Sequence, residues 1–159
     1  MSKTEGGRDG GGAGLQAALA ALVLKDGVML GGLAAQPQAL ALGLAWCALP
    51  ADVALRETEV NAALKRCLAE EGRFLDVDHV ELRRWLVDAG WLVRDGFGRE
   101  YRRVAGAGLS AGNAPIGLAL SDIDLPRWVT ELRAAEVQQR TARRQAWEAR
   151  QADAARGPA

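Results

Sequence analysis

Apolar residues recur along this chain with spacings that predict helices first and a hairpin afterwards. Leu15 to Leu24 is a short Ala/Leu run closed by Lys25-Asp26-Gly27, a helix followed by a turn signal. Gln38 to Leu49 predicts a second helix, which Pro50 stops. From Thr58, whose hydroxyl is placed to cap free amides, Val60, Ala63, Leu64 and Cys67 form the inner face of a third helix ending at Gly72. A fourth opens at Asp78, with Glu81 three residues on at capping-box spacing. Its inner stripe is Leu82, Trp85, Leu86 and Ala89, and Gly90 closes it. Trp91-Leu92-Val93-Arg94 and Tyr101-Arg102-Arg103-Val104 then flank Asp95-Gly96-Phe97-Gly98, two β-prone runs around a turn. Helices followed by a hairpin predict a mainly α (α+β) protein. Its body is a winged helix-turn-helix-like unit with a short β-hairpin wing, followed by a long C-terminal helix.

The pattern divides the chain into four zones. Residues 1–14 are expected to be a disordered Gly-rich leader without the apolar region of a signal peptide. Residues 15–104 hold nearly all the large apolar side chains and form the folded body. Residues 105–121 carry no charge and much Gly and Ala, which reads as a linker. Residues 122–156 form a basic helix, capped by Asp124 with Pro126 in its first turn. The uncharged stretch 27–51 is long enough for a membrane span. Gly31-Gly32 and Gln36-Pro37-Gln38 interrupt it, however, and its longest clean apolar run, 39–49, has 11 residues. A spanning helix needs roughly 20, so a buried helix is expected, in a cytoplasmic protein with no membrane partner.

Composition narrows the chemistry. Alanine and glycine make up 31 and 19 of 159 residues, and such density favours close helix–helix approach. Lys+Arg and Asp+Glu are equal at 20 each, so nucleic-acid binding must come from a local patch. Two cysteines and one histidine exclude a Cys/His zinc module, and there is no phosphate loop, nucleophile elbow or metal-binding helix. No enzyme activity, cofactor or metal is expected. Cys47 and Cys67 fall on neighbouring helices among apolar residues, where a thiol sensor is conceivable and a small buried hydrophobe is the plainer reading.

Three blocks go beyond periodicity: Glu57-Thr58-Glu59-Val60-Asn61 with Leu64; Asp78 leading into Leu82-Arg83-Arg84-Trp85-Leu86-Val87-Asp88-Ala89-Gly90-Trp91-Leu92-Val93-Arg94; and Gly98-Arg99-Glu100-Tyr101-Arg102. Together they resemble the DUF2087 family, a bacterial domain found alone and fused to helix-turn-helix regulators. With Lys25-Asp26-Gly27 as a lead-in, the resemblance covers residues 22–104. It implies a winged-helix-like fold and an association with transcription, and it carries no biochemical activity.

The function expected on these grounds is a transcription-associated DNA-binding protein. The fourth helix would face the major groove with His79, Arg83 and Arg84, while Arg94, Arg99, Arg102 and Arg103 of the hairpin meet phosphates. Two features oppose this. Residues 76–104 hold six arginines and six acids, and Val80 and Val87 flank Arg84 on the outward face. Arg83 and Arg84 would then serve in salt bridges with Glu81 and Asp88. Residues 126–156 carry seven arginines and four acids, with Arg133, Arg140 and Arg144 in one stripe. This helix is open to three uses: a solvated tail, a homodimer element or a nucleic-acid arm. The rival function is a protein-interaction or dimerisation module with a winged-helix fold and no DNA binding of its own. The expected partners are therefore double-stranded DNA and a second copy of the chain.

Overall fold

The computed structural model describes residues 9–97 and 99–157. The chain runs α1 (Asp9–Val23), α2 (Ala35–Cys47), β1 (Leu55–Arg56), α3 (Glu57–Ala69), α4 (His79–Asp88), β2 (Leu92–Arg94), β3 (Glu100–Arg103), α5 (Ala114–Ser121) and α6 (Leu125–Arg156). The sheet is antiparallel in the order β1-β3-β2, with Leu55 opposite Tyr101 and Val93 opposite Arg102. The mainly helical plan with a hairpin after the fourth helix is therefore present, and β1 adds a third strand that the pattern did not predict.

Local chemistry explains where the elements begin. The Asp78 carboxylate accepts the Glu81 amide at 2.8 Å, so α4 starts where its cap was expected. α3 starts two residues earlier than a Thr58 cap would place it, with Arg56 at the cap position. Thr58 lies inside the helix and caps nothing; instead the Glu59 carboxylate reaches back to the Arg56 amide at 3.0 Å, satisfying a free donor from the other side. Gly72 closes the end of α3 by donating its amide to the Cys67 carbonyl at 2.7 Å. The turn before α4 is tied to the segment after α1. Val28 donates to Phe74 O and accepts from Asp76 N, both at 2.8 Å.

The core is centred on Trp46 of α2 and Trp91, whose rings lie 5.4 Å apart at 54°. Trp46 Nε1 donates to the Val104 carbonyl at 2.9 Å, joining α2 to the end of the hairpin. Leu64, Leu82, Leu86 and Tyr101 fill the side under the sheet, and Leu19, Leu22 and Val23 of α1 close the other.

Two of the expected zone boundaries are corrected. Residues 9–14, assigned to the leader, belong to α1, while residues 1–8 lie outside the described residues. Residues 105–121 are no linker: α5 packs Ile116 and Leu120 into the core. Its glycines are the physical reason. A Cβ on Gly117 would sit 2.6 Å from Leu109 Cδ1 and 3.4 Å from the Trp46 ring, and a Cβ on Gly43 of α2 would sit 2.8 Å from Ile116 Cγ2. The two helices approach at a distance that only small residues permit. Asn113 fixes the start of α5 by donating to the Ala89 carbonyl at 2.8 Å.

α6 docks by its first turns, burying Leu125 and Val129 and half-burying Trp128 and Leu132. Its 32 residues extend about 48 Å, and beyond Thr141 every described residue of it is exposed. No helix among the described residues is long and apolar enough to cross a membrane.

Candidate nucleic-acid interface

α4 sits on the core through Leu82 and Leu86, with Trp85 and Val87 half-buried against the same cluster. Val87 thus packs inward, which removes part of the apolar outward face that counted against groove contact. Arg84 is exposed, four residues from Val80 and from Asp88, and has no hydrogen bond or ion pair among the described residues. His79 is half-buried in the first turn, likewise without a partner among the described residues.

Arg83 has a different fate. Its side chain is only 12% exposed. One guanidinium nitrogen donates to Asn61 Oδ1, another lies 3.2 Å from Glu57 Oε1, and Cζ stands 5.6 Å from the centre of the Tyr101 ring. This side chain clamps α3, α4 and β3 together, so it is withdrawn from the set of candidate DNA contacts. Internal pairing of an arginine was foreseen, but with Glu81 and Asp88 on its own helix. The acid that does the pairing comes from the start of α3.

The hairpin divides in the same way. Arg103 lies on the core side of the sheet. Its guanidinium stacks 3.8 Å over the Trp46 ring and donates to the Leu49 carbonyl just past the end of α2 at 2.9 Å. Burial holds it below the usual arginine range, and it too leaves the candidate set. Arg94 and Arg102 are exposed without partners among the described residues. Arg99 is exposed beside Phe97, 5.9 Å from ring centre to Cζ. Asp95 Oδ1 shapes this tip by accepting the Phe97 and Arg99 amides at 3.2 and 2.9 Å. The exposed cations are thus Arg84 on the helix and Arg94, Arg99 and Arg102 on the hairpin. Glu81, Asp88 and Glu100 are exposed nearby in sequence and pair with none of them.

The basic stripe of α6 is also altered. Arg133 is pinned to the body, donating to the carbonyls of Glu70 (2.8 Å), Glu71 (3.2 Å) and Val23 (3.5 Å), and is not free to lie along a phosphate backbone. Arg140 pairs with Glu136 at 3.0 Å and Arg144 with Glu148 at 3.9 Å, exposed contacts one helical turn apart. Such pairs are weak and open readily.

Burial pushes the Cys47 thiol up to about 11, with the Arg103 charge opposing, and pushes Cys67 further still. Neither forms the thiolate that a redox sensor needs near neutrality. The sequence reading missed Glu71, 2% exposed, which Arg66 holds through two bonds of 2.8 and 3.1 Å. An acid after the last turn of a helix gives no sign in sequence of being buried. No group of three or more metal-ligating side chains occurs among the described residues.

Residues 34–103, from the start of α2 to the end of β3, match the DUF2087 family, described as an uncharacterized protein conserved in bacteria. This segment is similar to the DUF2087 family and is called here the DUF2087 domain. The match begins after Lys25-Asp26-Gly27, so the lead-in expected from residue 22 lies outside it. The DUF2087 domain contains Arg83, Arg84 and the whole hairpin, whereas α1, α5 and α6 flank it. No curated protein and no solved structure matches the chain.

Proposed function

We propose that this protein binds double-stranded DNA as a winged-helix, transcription-associated protein of the cytoplasm. α4 would face the major groove and the hairpin the phosphates. The observation that carries this reading is the division among the arginines of one unit. Arg83 and Arg103 build the fold, while Arg84 on the helix and Arg94, Arg99 and Arg102 on the hairpin are exposed and make no ion pair among the described residues, on the two elements that a winged helix offers to DNA. The element order α2-β1-α3-α4-β2-β3 with sheet order β1-β3-β2 supports it. Arginine forks suit both guanine edges and phosphates, so the reduced set is still chemically sufficient.

Fluorescence anisotropy on a labelled random duplex tests the proposal. Four guanidinium contacts predict a log–log salt slope of roughly −3 to −4, and Arg102→Ala brings it about 1 unit closer to zero. Binding that ignores both salt and substitution overturns the reading.

A second reading, self-association without DNA binding, is favoured by α6, which carries Trp147 at 55% exposure beyond the body. Sedimentation equilibrium decides it: a dimer lost in Trp147→Ala supports it, and a monomer at high concentration excludes it.

A further inference from the structure

We infer that the cavity between the end of α1, the turn after α3 and the third and fourth turns of α6 is an anion site for a small phosphorylated ligand. It measures about 380 Å³, within the ordinary range of small-molecule sites. Its charged lining is Lys25, Arg73, Arg133 and Arg140 against Asp26 and Glu136, four cations to two acids. Glu136 is engaged by Arg140, itself one of the four, and Asp26 keeps its charge while binding a backbone amide, so the lining carries a net excess of two cations. Asp26 Oδ1 accepts the Gly27 amide at 3.0 Å, and Glu136 faces Arg140 at 3.0 Å and Arg143 at 3.7 Å. Lys25 and Arg73 have no partner among the described residues.

Arg133 forms the fixed part of the wall. Three backbone carbonyls hold it there, and burial followed by the charge of Arg73 keeps its guanidinium below the usual range. Arg73 and Arg133 therefore lie close enough to repel, and an anion held between them relieves that repulsion. A phosphate has enough acceptor oxygens to meet Lys25 and Arg73 together, with the fixed charge of Arg133 behind them, which one carboxylate meets less fully. Val23, Leu24 and Val137 line the remainder and suit an apolar portion of the ligand. The site uses none of the α4 or hairpin arginines, so it stands independently of DNA binding.

Isothermal titration of the full chain with inorganic pyrophosphate, at ionic strength held constant with chloride, tests the site. Saturable one-to-one binding is expected. The double variant Lys25→Ala/Arg73→Ala changes two exposed side chains and should keep the wild-type Tm without ligand, while affinity falls roughly tenfold or more. Heat that does not saturate, or an affinity equal in the double variant, overturns the inference. A short duplex added to the pyrophosphate complex separates the two sources of phosphate. If pyrophosphate stays bound, the site takes small ligands. If the duplex displaces it, the cavity belongs to a nucleic-acid track and the small-ligand assignment fails.

Discussion

The DUF2087 domain and the helices around it are held together by different means. Inside the domain, specific polar side chains join the elements: Asp78 caps α4, Arg83 reaches Asn61 and Glu57 across the helix pair, and Arg103 stacks on Trp46 and ties down Leu49. In α1 and α5 almost all the contact is made by Ala, Leu, Ile and Gly, with Gly43 and Gly117 setting how closely α2 and α5 approach. The family segment is nevertheless not self-sufficient. Ile116 and Leu120, which lie outside it, converge with Trp91 on Gly43, and Gly117 of α5 lies against the Trp46 ring. A domain can thus carry its own polar wiring and still depend on neighbouring small-residue helices for its core.

The largest effect should come from removing that cover. A chain ending at Val104 loses the buried Ile116, Leu120, Leu125 and Val129. At about 1.5–3 kcal/mol per side chain this approaches the whole stability of a domain. Thermal unfolding followed by circular dichroism should then show no cooperative transition, and a sharp melt would break the comparison. Gly43→Val tests the same packing within the full chain. Its side chain meets Ile116 and Trp91, so a loss of about 1–3 kcal/mol in urea unfolding is expected.

Within the domain the arginines should separate by role. Arg83→Ala leaves Asn61 and Glu57 without their donor and costs about 1.5 kcal/mol, because Glu57 is half exposed and partly resolvated. Arg84→Ala, on the solvent side, should stay within about 0.5 kcal/mol of wild type. Equal losses would mean that the division between structural and free guanidiniums is wrong. The smallest effect is confined to alkaline pH. The raised pKa of Cys47 means that the folded state prefers the neutral thiol more strongly than the unfolded chain does. Its contribution is complete below the ordinary 9.0 and disappears as pH rises toward about 11. Cys47→Ala should flatten that part of the stability–pH curve.

The same contrast explains what could be read from sequence. α4 was legible to its first residue because Asp78, Glu81, Leu82 and Leu86 combine a local cap with a helical apolar period. α5 was not, because a helix packed through glycine and alanine has no polar face to mark its period, and its lack of charge resembles a linker. β1 is two residues long, too short to show an alternation of two. Of the candidate site, Arg84, Arg94, Arg99 and Arg102 are exposed, a point the sequence left open. Arg83, Arg103 and Arg133 could not be sorted from them, since Asn61, Leu49 and Glu70 lie 22, 54 and 63 residues away along the chain. Acids nearby on the same helix suggested the wrong partners for Arg83, and only the crossing of α3 over α4 supplies the right one.

A chemical-shift footprint is the most direct test of DNA recognition. Titrating a short duplex into ¹⁵N-labelled protein should shift the amides of His79 to Arg84 and of Arg94 to Arg102, leaving α5 and the far half of α6 unmoved. A duplex that perturbs α6 alone, or no residue at all, would contradict the account.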